Sequence, residues 1–234
     1  MQEPERCSRC RREAVARQPY SGRALCAAHL VRDVESRAKR AIRQQGGLRH
    51  GDRVGVLVPG GPYGEALLTL AARLFAARRD LTLVALRPSE GPPSPGACPE
   101  GIEPAPFGDD EPSAAAIRLG CSLLLVPTIL EERAADVLGA VLAGRQASLA
   151  GATGGRPRVV RPFENVPGLE IRLYLGAVTG TPAPPAPAAT AGPFEALVTD
   201  ELARHTARHP SAPFALVRLA ESIAELASGE PDRC

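Results

Sequence analysis

Two rhythms of apolar residues alternate along the chain, one of strand length and one of helical period. Residues 54–58 form a short apolar run with β-branched side chains, which predicts a buried strand. Pro59-Gly60-Gly61-Pro62 breaks that run, and Ala66, Leu67, Leu70, Ala71 and Leu74 then recur at helical spacing. Residues 81–86, 121–126 and 159–162 read as further short strands. Residues 27–45, 113–119, 131–142, 168–178, 194–209 and 213–226 read as helices. In the helix at 131–142 the pattern turns Ala134, Ala135, Val137, Leu138, Val141 and Leu142 inward. In that at 168–178 it buries Leu169, Ile171, Leu173, Tyr174 and Leu175. Residues 87–111, rich in Pro, Gly and acids, read as a long loop, as do the Gly, Ala and Ser of 144–156.

Strands that alternate with helices predict an α/β fold: a parallel sheet with helices on both faces. Ligands of such sheets bind beyond the strand C-termini, which is where Pro59 to Gly64 fall. Strand, glycine turn and helix together aim backbone N–H groups at an anion. Pro62, Tyr63 and Gly64 fill the turn, however, with no Lys, Ser, Thr or Asp among them. The shape of a nucleotide loop is present without its side-chain chemistry. Gly60 and Gly61 remain the candidate donors, and Glu65 is a candidate ligand for Mg²⁺.

Ahead of this unit stands Cys7-Ser8-Arg9-Cys10, followed after fifteen residues by Cys26-Ala27-Ala28-His29. Two close pairs joined by a segment that folds back place three thiolates and an imidazole within tetrahedral reach. That spacing predicts a small N-terminal zinc knuckle. A closed four-ligand site leaves no position open for catalysis, so its metal is expected to be structural. The helix after it puts Leu30, Val31, Val34, Ala38, Ala41 and Ile42 on one face. Arg37, Lys39, Arg40 and Arg43 lie on the other sides and are candidate RNA contacts, while Gly46-Gly47 ends the helix. His205 and His209, four apart, read as surface residues. The lone Cys98 reads as a free thiol, and Cys121 as a core residue.

Composition narrows the field. Hydrophobic residues make up 44% of 234, but aromatics only 3%, so Leu, Val, Ile and Ala must build the core. No run approaches a membrane span, and the charged N-terminus does not resemble an export signal, which predicts a cytoplasmic chain with reduced cysteines. Net charge is only +2, but residues 1–53 hold 13 Lys and Arg against 6 Asp and Glu, and the remainder 15 against 20. The asymmetry assigns an anionic partner to the N-terminal part. The organisation expected is knuckle and basic helix at 1–46, α/β domain at 47–178, an Ala/Pro linker at 179–193 and helices at 194–234.

Taken together, the Cys7, Cys10, Cys26 and His29 knuckle, the Pro59 to Gly64 loop, the stretch from Leu119-Gly120 to Gly144, Arg161-Pro162-Phe163-Glu164-Asn165-Val166-Pro167, and the tail from His209-Pro210 to Leu219 resemble one family in the same order. It is the PP-loop tRNA 2-thiolation family of archaea and the eukaryotic cytoplasm. Active members carry Ser-Gly-Gly-Lys-Asp-Ser at the loop, adenylate the wobble uridine with ATP and deliver sulfur, usually with an iron–sulfur cluster. Here the loop lysine, aspartate and serines are replaced. Pro127-Thr128-Ile129-Leu130-Glu131-Glu132 lacks the family's His-Asn-Leu-Asp-Asp, its central Cys-x-x-Cys has no counterpart, and Gly192 stands where it has a cysteine. Cys234 is at most a remnant of a second knuckle.

The resemblance and its departures imply a degenerate, noncatalytic paralogue: a subunit that pairs with a catalytic 2-thiolation partner and helps hold tRNA. Zinc is the expected metal, a working ATP site and an iron–sulfur cluster are not expected, and neither membrane nor DNA is a partner. Two other readings remain: a nucleotide-binding enzyme with altered adenylation or thiolation chemistry, and a zinc-bearing adaptor without an RNA role.

Overall fold

A computed structural model describes residues 5–89, 98–108, 111–145, 149, 157–182, 184–185 and 192–228. Much of the 179–193 linker, most of the loop at 144–156 and Cys234 lie outside the described residues. The chain opens with a hairpin of β1 (Ala16–Gln18) and β2 (Arg23–Leu25), antiparallel, followed by α1 (Ala27–Gln44). β3 (Arg53–Leu57), α2 (Gly61–Phe75), β4 (Thr82–Pro88), β5 (Ile102–Phe107), α3 (Pro112–Arg118), β6 (Leu123–Leu125), α4 (Leu130–Leu142), β7 (Arg158–Val160) and α5 (Gly168–Thr179) come next. α6 (Pro193–Arg208) and α7 (Ala212–Ser228) close the described chain.

Five of the strands form a parallel sheet in the order β5-β4-β3-β6-β7. Their side chains alternate between faces, as strand geometry requires. Val54, Val56, Leu83, Ala85, Leu123 and Leu125 point into the larger core, under apolar residues of α1, α2 and α5. Val84, Leu86 and Leu124 point the other way and meet Ala115 and Ala116 of α3. Helices therefore cover both faces, as the alternation of elements predicts. A satellite cluster joins Val137 and Ala140 of α4 to Ala220 of α7. Among the described residues, no helix is long and apolar enough to cross a membrane.

The structure corrects three details. Residues 102–107 are not loop but edge strand β5, in register with β4 from Leu83–Ile102 to Pro88–Phe107. Pro104 and Pro106 lack ladder donors, which an edge strand tolerates and an interior one does not. In α4, Val141 and Leu142 are exposed, because the inward stripe runs through Ala134, Val137 and Ala140. In α5, Leu169 is exposed and its neighbour Glu170 is buried, the reverse of what polarity predicts. Gln18, Tyr20 and Arg37 surround the Glu170 carboxylate and supply the hydrogen bonds its burial demands.

Candidate metal centre and cleft

Cys7 and Cys10 lie in the segment before the hairpin, Cys26 directly after β2, and His29 on the first turn of α1. Hairpin pairing brings the two motifs together: Ser8 N–H donates to Ala24 O at 2.8 Å, and Ala24 N–H donates to Ser8 Oγ at 3.0 Å. The four ligand atoms lie within 4.8 Å of one another. Cys7 Sγ is 3.5 Å from His29 Nδ1, Cys26 Sγ is 3.4 Å from the same nitrogen, and Cys10 Sγ is 3.6 Å from Cys26 Sγ. A tetrahedral ion with bonds of about 2.3 Å to sulfur and 2.0–2.1 Å to nitrogen has ligand–ligand edges of roughly 3.6–3.8 Å. The donor set fits one such ion. Burial pushes the Cys7 thiol up, but backbone N–H groups of Cys26, Arg9 and Cys10 outweigh it and hold the thiol down at about 6, favouring the thiolate a metal requires. Among the described residues, no second group of three or more such ligands converges.

A cleft of about 560 Å³ opens at the C-terminal ends of β3, β6 and β7. Gly60 lines it, and Gly60 and Gly61 have φ of +96° and +73°, the left-handed region that lets the chain turn from β3 into α2. Gly64 brings the first turn of α2 against the end of β3: a Cβ there would lie 3.2 Å from Val58 Cα. Strand, glycine turn and helix are thus joined in the order that the sequence predicts.

Three helix N-termini, those of α2, α3 and α4, face this cleft. Such termini attract anions, but each is compromised. Pro62 removes one N–H from the start of α2. The Glu111 carboxylate caps α3, accepting from Ser113 N–H at 3.1 Å. The Glu132 carboxylate accepts from Ile129 N–H at 3.1 Å at the start of α4. Burial and the charges of Asp136 and Glu131 push Glu132 above its ordinary carboxylate range. Two of the three termini are thus already paired with the chain's own carboxylates. Glu65 faces Arg87 Nη1 at 3.3 Å, so its charge is already matched by a guanidinium. Sequence reasoning missed one lining cation, Arg161, and the hydroxyl-bearing Ser113 and Thr128. Ser113 comes from α3 and the other two from segments after β6 and β7, all distant in sequence from residues 59–64.

Of the predicted RNA contacts, Lys39, Arg40 and Arg43 are exposed. Arg37 is tied inward instead. It donates to Glu170 Oε2 at 3.0 Å, to Tyr20 Oη at 2.8 Å and to the Asn165 carbonyl, and lies 3.7 Å from Asp33. His205 on α6 and His209 just after it are in ring contact, with no third metal ligand near them among the described residues. Cys98 is a free thiol and Cys121 is buried in the core, as expected.

Residues 6–31, which hold all four metal ligands, match the family described as 2-thiouridine synthetase TtuA, N-terminal LIM domain. The whole chain is similar in fold to the U34-tRNA thiolase NcsA from Methanococcus maripaludis, a structure with its [4Fe-4S] cluster. The TM-score is 0.77 at 18% identity, covering 98% of this chain and 90% of that one. No curated protein sequence matches. In its N-terminal motif and in its overall fold, this chain resembles the tRNA 2-thiolation proteins.

Proposed function

We propose that this chain is a noncatalytic, cytoplasmic partner subunit of a tRNA wobble-uridine 2-thiolation complex, contributing tRNA binding and scaffolding. The observation that carries the reading is the cleft at the end of β3, which keeps the strand, glycine turn and helix order of a phosphate loop but is faced by Glu111 and Glu132. Phosphoryl and adenylyl transfer rest on positioned cations, hydroxyls and metal ions that neutralise developing charge. Pro59 to Gly64 supply no lysine, aspartate, serine or threonine, and Glu65 is engaged with Arg87. The fold resembles that of a protein named a U34-tRNA thiolase, and the knuckle that of a family named for 2-thiouridine synthesis.

Zinc is the metal we assign to the knuckle. The four ligand atoms lie within 4.8 Å of one another, and three of their separations, at 3.4–3.6 Å, suit the ligand shell of one ion. A four-iron cube spreads its cysteine sulfurs much farther apart. The role of this metal is to hold the hairpin and the start of α1.

One observation favours the second reading, an enzyme with altered chemistry: Arg161, Ser113 and Thr128 line the cleft. Burial and the neighbouring Arg133 destabilise the charge on Arg161, and Glu164 and Asp136 lie near it. We therefore assign Arg161 to structure. The test is co-purification from the native organism. The proposal predicts recovery of an active 2-thiolation paralogue and tRNA with this chain, and thiolation activity that depends on the paralogue. A monomer that captures neither contradicts it.

A further inference from the structure

A second and larger concavity, about 990 Å³, lies between the metal knuckle, α1 and α7. Five arginines line it against two acids. Arg9 and Arg23 come from the knuckle, Arg37 and Arg40 from α1, and Arg218 from α7. Of the acids, Asp33 is already engaged by Gln18, Arg9 and Arg37. Only Glu221 then stands against Arg23, Arg40 and Arg218, so the groove carries net positive charge on walls contributed by three separate elements.

Its floor is aromatic, with two rings tilted 50° to each other. Tyr20 and Phe214 lie 4.6 Å apart between ring centroids, and the Arg37 guanidinium covers both at 5.5 and 5.8 Å. Held against those rings, Arg37 supports the floor while Arg23, Arg40 and Arg218 remain on the walls. Cationic walls beside aromatic rings suit a single nucleic-acid strand, with guanidiniums for successive phosphates and a ring for an unstacked base. An acidic peptide would use the walls but not the floor.

We propose that this groove binds a single-stranded segment of RNA, with Arg23, Arg40 and Arg218 on its phosphates and Phe214 against a base. The proposal rests on the tRNA-binding reading above and assigns that binding to a surface. It separates Arg40, in the groove, from Lys39 and Arg43, which do not line it. It adds Arg218, from a helix far along the chain.

The test measures tRNA affinity by fluorescence anisotropy across a range of salt. It uses the full-length wild type, Arg40→Gln/Arg218→Gln, Phe214→Leu, and Lys39→Gln/Arg43→Gln. Melting temperatures confirm that each variant is folded. The groove double variant is expected to weaken binding about tenfold or more at 0.1 M salt, and to lower the log–log salt slope by about two, roughly one per arginine. Phe214→Leu is expected to weaken binding and leave the slope unchanged, a signature that loss of a charge contact does not produce. Wild-type affinity in the groove variants, with loss in the Lys39/Arg43 variant, overturns the groove while the tRNA reading stands. Wild-type protein that ignores tRNA, even beside an active paralogue, removes both. A poly-glutamate probe that binds the groove more tightly than RNA of equal charge also overturns the proposal.

Discussion

Arg37 on α1 donates from Nη1 to Glu170 Oε2 on α5 at 3.0 Å, across 133 residues of sequence. Glu170 is 3% exposed, and its carboxylate also accepts from Gln18 Nε2 at 3.0 Å and Tyr20 Oη at 2.7 Å. The knuckle hairpin, the basic helix and the sheet-covering helix α5 therefore meet at one buried charge.

Removing one partner of a buried ion pair leaves the other uncompensated. Arg37→Ala is expected to cost about 3 kcal/mol of folding stability. Arg37→Ala combined with Glu170→Gln is expected to recover part of that loss, because the amide no longer carries a charge. Urea denaturation of the two singles and the double measures the coupling. A loss below about 0.5 kcal/mol for Arg37→Ala would place this pair with weakly contributing surface bridges.

Cys26 is both a metal ligand and the N-cap residue of α1. Elemental analysis is expected to return one zinc per chain, and Cys26→Ala to lose it. Without the metal, the segment of Cys7 and Cys10 loses its tie to Cys26 and His29, and the hairpin's own strands are only three residues long. Chelator treatment should therefore lower the melting temperature and reduce helical circular dichroism as α1 frays. Unchanged melting after complete zinc removal would show that the ion is dispensable.

Glu164 accepts from Gln45 Nε2 at 2.6 Å, and burial raises its carboxyl from 4.5 to about 6. The folded state thus binds this proton more tightly than the unfolded chain does. Stability from this group is present at low pH and falls as pH rises from about 4.5 to 6. Glu164→Gln keeps an acceptor for Gln45 and removes the charge. It is expected to flatten that part of the stability–pH curve and to raise stability at pH 7 by about 1 kcal/mol. That figure takes about 1.4 kcal/mol for each tenfold tightening of proton binding and discounts it for partial exposure. Chemical denaturation at pH 4.5, 6 and 7 gives the comparison.

The parts of the fold legible in the sequence are those set by local pattern. The strand at 53–57, the Gly60-Gly61 turn and the helix after it follow from apolar spacing and glycine placement. The metal ligands follow from two fixed spacings across a short return. Burial of Glu170 was not legible, because its partners lie about 150 residues away and polarity alone argues for exposure. β5 was hidden by Pro104 and Pro106, which mark loops in most contexts and are tolerated here because only one side of the strand pairs. The acidic caps of the cleft illustrate a third limit: Glu111 and Glu132 are recognisable as helix-start residues, but that both face one cleft is a tertiary fact.

Calorimetric titration of the purified chain with ATP and Mg²⁺ tests the central claim most directly, because it asks whether the cleft at the end of β3 accepts a nucleotide at all. The account predicts no heat of binding up to millimolar ATP, with the protein folded and zinc-loaded. Micromolar binding that is lost on substituting Arg161 would contradict it and return this chain to the enzymes.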